Sequence, residues 1–569
     1  MKILFLFPEH YLNIGIPGGI SILAAILKQH GHQVKVFDTT FLKVDPNFDQ
    51  IRLHADVHGG NSETDKAGLQ QFKKTAYTIE DLVRKDPVVI YEEEFQKIID
   101  SFSPDLIAVS SMTSTFDFAI SLLRKVKYRA KVLVGGIHPT IAIDDCLAQK
   151  EIDMACIGEA DDVVPELCCL MDGDRDYTNV RSMCFKMPDG SIKRNPPAPR
   201  VNLNALPCPD WGLFDERHLF RPFEGEIFRG SFYIQSRGCP LQCTYCINST
   251  VAKMTQGVQG YFRIQKPSVT LSHLKELKEK YHVTWLKFAD DSFLLPPVEH
   301  LLELGEGLKE LGIKFGCSVM PNTITEEKVR IAKEIGCVAM SVGVESGNAG
   351  IRRMIKRMYD DEKLVKSLKI IQDYGIKLST FNIIGFPGET RENVFETINL
   401  NRRIGTSTCN VYILFPYPGT PIQKEFNIPV RGDDGKIMPV SKAKELGLSR
   451  MSPDELEGLQ NTFNLYLNLP EALWPVIKMA EANSGSGPSI LGILRRFSTA
   501  MISGDEFDMR SIMEITIAHP YIQYDESDFS VPVILLDIFD LPLSIDDFKV
   551  VMESLYTYDE SRYVNSRNE

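Results

Sequence analysis

The sequence predicts an α/β protein in three parts. An open, doubly wound parallel sheet occupies residues 1–200, a linker covers 201–230, a partial parallel (β/α)6 barrel occupies 231–430, and a mainly helical region covers 431–569. Three observations predict this. Short apolar runs alternate with amphipathic helical stretches from the first residues to about 430, nearly every run ends in small residues, and after 430 the strand pattern fades.

In the first part, "KILFLF" (2–7), "QVKVFD" (33–38), "DLIAVSS" (105–111), "KVLVGG" (131–136) and "MACIGE" (154–159) read as buried parallel strands. "GGISILAAILKQHG" (18–31) has apolar residues at helical spacing and a terminator at Gly31. The stretch from about 41 to 100 reads as a polar insertion with one or two helices and no assigned chemistry. The strands run into "GIPGG" (15–19), "SSMTS" (110–114), "GGIHPT" (135–140) and "IGEAD" (157–161). Open α/β sheets bind ligands beyond the carboxyl ends of their strands, and Gly/Ser-rich loops let a bulky planar ligand approach the backbone. Tight strand-to-helix turns explain the same residues equally well. No loop carries G-x-G-x-x-G, so a dinucleotide is not favoured.

Residues 173–230, with "PDG" and "PPAP", read as a short hairpin and a linker ending in "NALPCPDWGLFD" (204–215). A second series follows: "SFYIQ" (231–235), "TWLKFA" (284–289), "KFGCS" (314–318), "VAMSVG" (338–343), "LSTFNII" (378–384) and "CNVYIL" (409–414). Six such strands with right-handed crossovers make part of a parallel barrel, whose chemistry lies at the carboxyl ends of the strands. Beyond 430, "SPDELEGLQNTFNLYL" (452–467) opens on Ser452 as N-cap, Pro453 at the first helical position and Glu455 completing a capping box. Leu456, Leu459, Phe463 and Leu467 then share one face. The region suits a lid, a partner surface or an extension of the core. Trp474, Phe497 and Tyr524 fit a hydrophobic pocket or the core alike.

Composition narrows the class. A chain of 569 residues with 43% hydrophobic and 24% charged residues is globular with several cores, and a net charge of -13 argues against nucleic-acid or anionic-membrane partners. No apolar run approaches the roughly 20 residues that cross a bilayer, and "MKILFLFPEH" reads as a buried strand, not a signal peptide. Twelve cysteines without a regular framework suit a reducing cytoplasm, where Cys156, Cys168, Cys317 and Cys337 serve as small buried hydrophobes.

Cys239, Cys243 and Cys246 in "SRGCPLQCTYCINS" (236–249) need another account. Three thiolates cannot complete a tetrahedral structural zinc site, and no nearby Cys or His offers a fourth ligand. A 4Fe-4S cluster takes one cysteine per iron, so three leave one iron open.

Cys-x3-Cys-x2-Cys after the first strand of a βα barrel, with Tyr245 before the last cysteine, resembles the radical S-adenosylmethionine (SAM) superfamily. The resemblance implies that the amine and carboxylate of SAM fill the open iron, and that one-electron cleavage releases a 5'-deoxyadenosyl radical. It also implies Asp290 or Asp291 of "FADDSF" as acceptor of the methionine ammonium and Glu345 of "GVESG" as the ribose or amino contact. Backbone groups of Ile384 and Gly385 in "NIIGFPGET" would meet the adenine. With "GGIHPT", "IGEAD" and "LPCPDW", residues 1–430 resemble the cobalamin-binding members of that superfamily, whose first domain is Rossmann-like. Ser110, Ser111, Thr113, Gly135, Gly136, Gly158 and Glu159 are then the candidate corrin contacts, with His138 following the glycine pair. The D-x-H-x-x-G motif that ligates cobalt is absent. "DVHGGN" (56–61) lacks its final glycine, so His58 reads as a surface residue and the expected cobalamin is base-off without a histidine ligand.

The function this implies is methylation of an unactivated carbon of a small molecule, through methylcobalamin and the 5'-deoxyadenosyl radical, with a ferredoxin- or flavodoxin-like electron donor. Oxidative cyclisation or ring rearrangement with the same cofactors is the alternative, and a non-catalytic cobalamin or SAM sensor a third reading. The sequence names no acid or base catalyst.

Overall fold

The computed structural model describes residues 1–498 except 11–12, 44–86, 225, 256–259, 407, 433–434, 436, 486, 489, 493 and 496–497. His58, Phe497 and Tyr524 therefore lie outside the described residues.

The first sheet has the order β2-β1-β3-β4-β5-β6-β7. Its parallel strands are β1 (Lys2–Phe7), β2 (Gln33–Asp38), β3 (Leu106–Ser110), β4 (Lys131–Gly135) and β5 (Met154–Cys156). The hairpin β6 (Met183–Lys186) and β7 (Ile192–Arg194) extends the edge antiparallel. Period-2 alternation sends Ile3 and Phe5 of β1 into one core and Leu4 and Leu6 into the other. Helix Gly18–Gln29 covers the first face, while helices Tyr91–Phe102 and Phe116–Lys125 cover the second. The polar insertion is thus shorter than the sequence suggests. Its last ten residues belong to a sheet-covering helix that buries Tyr91, Phe95, Ile99 and Phe102. The chain order reverses between β1 and β3, which places a ligand crevice beyond their carboxyl ends.

The linker carries a second hairpin, β8 (Phe220–Phe223) and β9 (Glu226–Arg229). The barrel strands are β10 (Phe232–Tyr233), β13 (Trp285–Phe288), β14 (Lys314–Val319), β15 (Cys337–Glu345), β16 (Lys377–Ile384) and β17 (Cys409–Ile413). All six are parallel and β10 does not pair with β17, so the barrel is open, as the sequence predicts. Ile3, Phe5 and Leu27 share one continuous core with Leu274, Leu286 and Phe315, so the two sheets are packed together.

Helix Pro453–Asn468 covers the free edge of β17 and is an extension of the core. Asn464 accepts from the Cys409 N–H at 2.8 Å and donates to the Cys409 carbonyl at 2.9 Å, and Gln460 donates to the Val411 carbonyl at 3.0 Å. These bonds satisfy backbone groups that an exposed edge leaves open. Ser452 caps the helix by accepting from the Glu455 N–H at 3.2 Å. The reciprocal half of the expected capping box is missing, because the Glu455 carboxylate turns to Arg391 at 3.3 Å. Trp474 packs on Phe395 and Tyr466 and is a core residue. Among the described residues no helix is long and apolar enough to cross a membrane.

Candidate active site

The cysteine loop is a closed excursion from the barrel. It leaves through β11 (Ser236–Arg237) and returns through β12 (Arg263–Ile264), which pair antiparallel. Gly238 starts it at φ +84, and a Cβ there would stand 2.3 Å from the Tyr261 carbonyl oxygen, so only glycine fits. All three cysteines are free thiols. Burial raises the pKa of each, that of Cys246 to about 12, and the charge of Cys243 acts on both Cys239 and Cys246. Binding iron therefore displaces protons. Among the described residues no three His, Cys, Asp or Glu side chains converge on a single-ion site. Three neighbouring thiols without a fourth ligand and without convergence fit one open corner of a cluster better than one zinc ion.

At the end of β13, Asp290 is buried. Its Oδ1 accepts from the Ser236 N–H at 2.6 Å and from the Ser236 hydroxyl, and burial raises its pKa to about 7. Its Oδ2 has no partner. Asp291 points to Asn248, on the helix after Cys246, at 2.9 Å. The end of β15 is strained, with Glu345 at φ +67, a conformation a residue with a Cβ seldom adopts. That turn brings its Oε1 to within 3.1 Å of Arg357 Nη2. The same Arg357 nitrogen donates to the Tyr245 hydroxyl at 3.2 Å, which ties Tyr245, and with it the cysteine loop, to β15. Burial works against the Arg357 charge, but Glu345 and Tyr245 hold its pKa above the ordinary value.

Beyond β16 the backbone groups are already engaged. The Ile384 carbonyl accepts from Leu414 N–H at 2.8 Å, and Glu389 Oε2 accepts from Gly385 N–H at 2.5 Å and Phe386 N–H at 3.1 Å. These bonds serve the sheet and the turn, and the register that pairs Ile384 with Ile413 turns the Ile384 N–H to the same ladder, which leaves the Gly385 carbonyl as the backbone group to consider for adenine. Burial raises Glu389 to about pH 8. The folded chain keeps this proton up to about pH 8, whereas the unfolded chain releases it near the ordinary 4.5. Stability is thus full below the lower value and falls as pH rises to the upper one. Glu389→Gln keeps the accepting oxygen and removes the titration. Its apparent melting temperature is expected to fall less steeply between those pH values than that of the parent, as read by thermal denaturation.

On the first sheet, Ser110 and Gly135 are register partners, and Ser111 N–H donates to the Gly135 carbonyl at 3.1 Å. Gly136 has φ +104, and a Cβ there would stand 2.7 Å from the Ser111 carbonyl oxygen. Thr140 donates to the Gly136 carbonyl at 2.8 Å and accepts from Gly158 N–H at 3.0 Å, so the loops after β4 and β5 are fixed together. His138 is buried under this crevice, stacked on Phe116 at 4.3 Å with Nδ1 3.2 Å from the Thr113 hydroxyl. Burial lowers its pKa to about 4, so it is neutral.

Glu159 departs most from its sequence assignment. Its carboxylate pairs with Arg263 and accepts from Val201 N–H at 2.9 Å, and the neighbouring Asp161 pairs with Arg237 at 2.7 and 2.9 Å. Arg237 and Arg263 lie on β11 and β12, the two ends of the cysteine excursion. The loop after β5 therefore ties its two acids to both ends of the cysteine loop.

The two halves of the site meet directly. Helix Ile137–Ile141, which opens from the Gly135–Gly136 loop, packs against helix Ile247–Thr255, which follows Cys246. Ile137 and Met254 on these helices, and Met112 on the loop after β3, are exposed apolar side chains. Buried polar atoms without partners collect on both sides: Ser111 Oγ and His138 Nε2 below the crevice, Asp290 Oδ2, Gln235 Nε2 and Oε1, and Arg357 Nε at the barrel mouth. Such atoms call for a partner, and a SAM molecule and a corrin, polar at their rims, fit the two places. Arg357, Gln235, Arg237 and Glu389 were not singled out from the sequence. "GFPGE" was the one local signal, since a glutamate three residues after Phe386 reaches back to the turn.

Comparison with known proteins agrees with this geometry. The Radical SAM superfamily model matches residues 233–400 and the B12 binding domain model matches residues 69–168. The chain is 26% identical over 338 residues to an uncharacterized methyltransferase of Pyrococcus horikoshii, covering 58% of this chain and 70% of that protein. It is 22% identical over 349 residues to the anaerobic magnesium-protoporphyrin IX monomethyl ester cyclase of Rubrivivax gelatinosus, covering 59% and 60%. Its fold is similar to that of the radical SAM methyltransferase TsrM from Kitasatospora setae, solved with cobalamin and a 4Fe-4S cluster, with TM-score 0.58, 13% identity and coverage of 88% and 99%. The barrel with its three-cysteine loop thus carries a Radical SAM superfamily domain, and the doubly wound sheet ahead of it a B12 binding domain.

Proposed function

We propose that this enzyme methylates an unactivated carbon of a small molecule. The observation that carries the reading is the packing of helix Ile137–Ile141 on helix Ile247–Thr255, which brings the crevice loop and the segment after the cysteine loop together. When bound, the cluster and SAM supply a substrate-activating radical and the corrin supplies the methyl group. The chain places them and excludes water. Cys239, Cys243 and Cys246 hold the iron. Asp290, Asp291 and Glu345 face the cationic and hydroxyl-bearing parts of SAM, with Tyr245 and Arg357 fixing Glu345. Ser110, Ser111, Thr113, Gly135, Gly136 and Gly158 form the corrin floor. The absence of a D-x-H-x-x-G motif supports a base-off cobalamin without a histidine ligand. The division at 200, 230 and 430, a cytoplasmic location and a ferredoxin- or flavodoxin-like donor complete the reading.

Glu345→Gln is expected to weaken SAM binding by roughly tenfold, because the buried Arg357 loses its counter-charge. Iron content should not change. Calorimetric titration of SAM into the reconstituted variant checks both.

The similarity to a cyclase supports a second reading, oxidative cyclisation. Mass spectrometry separates the two. Holoenzyme given SAM and a chemical reductant should form S-adenosylhomocysteine as well as 5'-deoxyadenosine. Production of 5'-deoxyadenosine alone counts against methyl transfer.

A further inference from the structure

The inside of the barrel is open. On β15, Met340, Val342 and Val344 face the helices and are buried, while Ala339, Ser341 and Gly343 on the other face stay half-buried. A filled parallel barrel carries bulky branched side chains on that inner face. Here the register sets Ser341 beside Ser318 and Ser379, and Lys287 beside Gly316, so small residues leave room across three strands. Trp285 closes the floor with Phe223 and Ala339. Ala289, next above Lys287 on the same face, is exposed, so the space continues upward to the mouth.

Lys287 is the anomaly in this space. It is half-buried, and among the described residues its Nζ has no hydrogen-bond or ion-pair partner. Burial lowers its pKa, and the titratable groups acting on it are the thiols of Cys317 and Cys337, not a carboxylate. Lys377, on the same face at the floor, by contrast meets Glu224 of the linker hairpin at 3.5 Å. An ammonium in a partly enclosed space has no counter-charge there, and a ligand anion supplies one.

Resting on the reading of this protein as an enzyme for small molecules, we propose that the substrate carries a carboxylate and that Lys287 receives it inside the barrel. The hydroxyls of Ser318 and Ser341 lie on the same inner face. Phe381 and Tyr412, ring centroids 6.4 Å apart, bound an apolar or planar remainder nearer the mouth. The carboxylate then sits deep, and the carbon to be modified points toward the cluster loop.

Benzoate and benzamide test this as a matched pair differing in charge. Ligand-observed NMR on the anaerobically reconstituted full-length protein, without SAM, reads binding independently of methyl transfer, so failure here and failure of that reading are distinct results. Benzoate should bind roughly tenfold more tightly than benzamide. Lys287→Met should erase that preference and leave benzamide binding unchanged, and Lys287→Arg should keep it, both with parental iron and corrin contents. If the methionine variant loses its cofactors, Lys287→Gln replaces it and should behave alike. Equal or absent binding of the two probes to the parent, or a preference surviving in the neutral variants, overturns the proposal. Borohydride trapping of benzaldehyde on Lys287 without any preference for benzoate overturns it too, in favour of an imine-forming lysine.

Discussion

Replacing Cys239, Cys243 and Cys246 together by alanine is expected to give a folded protein that still takes up cobalamin but holds no cluster iron and cleaves no SAM. The three thiols have no structural duty that alanine fails to meet. None is disulfide-bonded, and the loop is held at its ends by the β11–β12 pair and the Arg237 and Arg263 ion pairs. The corrin crevice draws on another sheet, so its ligand should remain. Iron and sulfide quantitation, the corrin absorbance and chromatographic assay for 5'-deoxyadenosine read the three outcomes separately. Parental SAM cleavage in the variant would remove the radical chemistry from the account.

Arg237→Met is expected to loosen the whole active site without touching a cofactor ligand. Arg237 makes a two-bond pair with Asp161, whose side chain is only 8% exposed, and lies 3.7 Å from Glu159. Removing the guanidinium leaves a buried carboxylate unpaired, a loss of about 3 kcal/mol, at the lower end of the usual range because Arg237 itself retains 22% exposure. The apparent unfolding temperature should fall by roughly 3 °C, and bound corrin and cluster should both be lost more readily on dilution. Adding Asp161→Leu should recover most of the loss, since an apolar pair of similar volume leaves no charge stranded. If the single variant matches the parent in melting and cofactor retention, the clamp between the β5 loop and the cysteine loop is not structural.

The architecture was legible because each strand is a short apolar run that ends in small residues. The sequence bounds of β1, β2 and β14 through β17 agree with the structure to within about a residue at most ends. The three cysteines proposed to hold the cluster stood out for a different reason, since three thiols within eight residues are a local pattern. What escaped was long-range. Nothing near Glu159 in the sequence announces Arg263, 104 residues away, and a glutamate in a small-residue loop looks like a ligand contact until its partner is seen. Arg357 likewise serves Tyr245 from 112 residues away. Glu455 shows the same limit on a smaller scale, because the capping-box spacing is right and a tertiary arginine wins the carboxylate. Lys287 had an alternating strand around it and read as one more residue of a buried run. Only the register with Gly316 reveals the space into which it projects.

The central claim is an iron with no protein ligand, set where SAM and the corrin meet. Mössbauer spectroscopy of protein reconstituted anaerobically with isotopically enriched iron, recorded with and without SAM, tests it most directly. A 4Fe-4S spectrum in which SAM shifts a single iron site and leaves the others unchanged is the predicted result. A spectrum of fully protein-ligated metal that does not respond to SAM would contradict it.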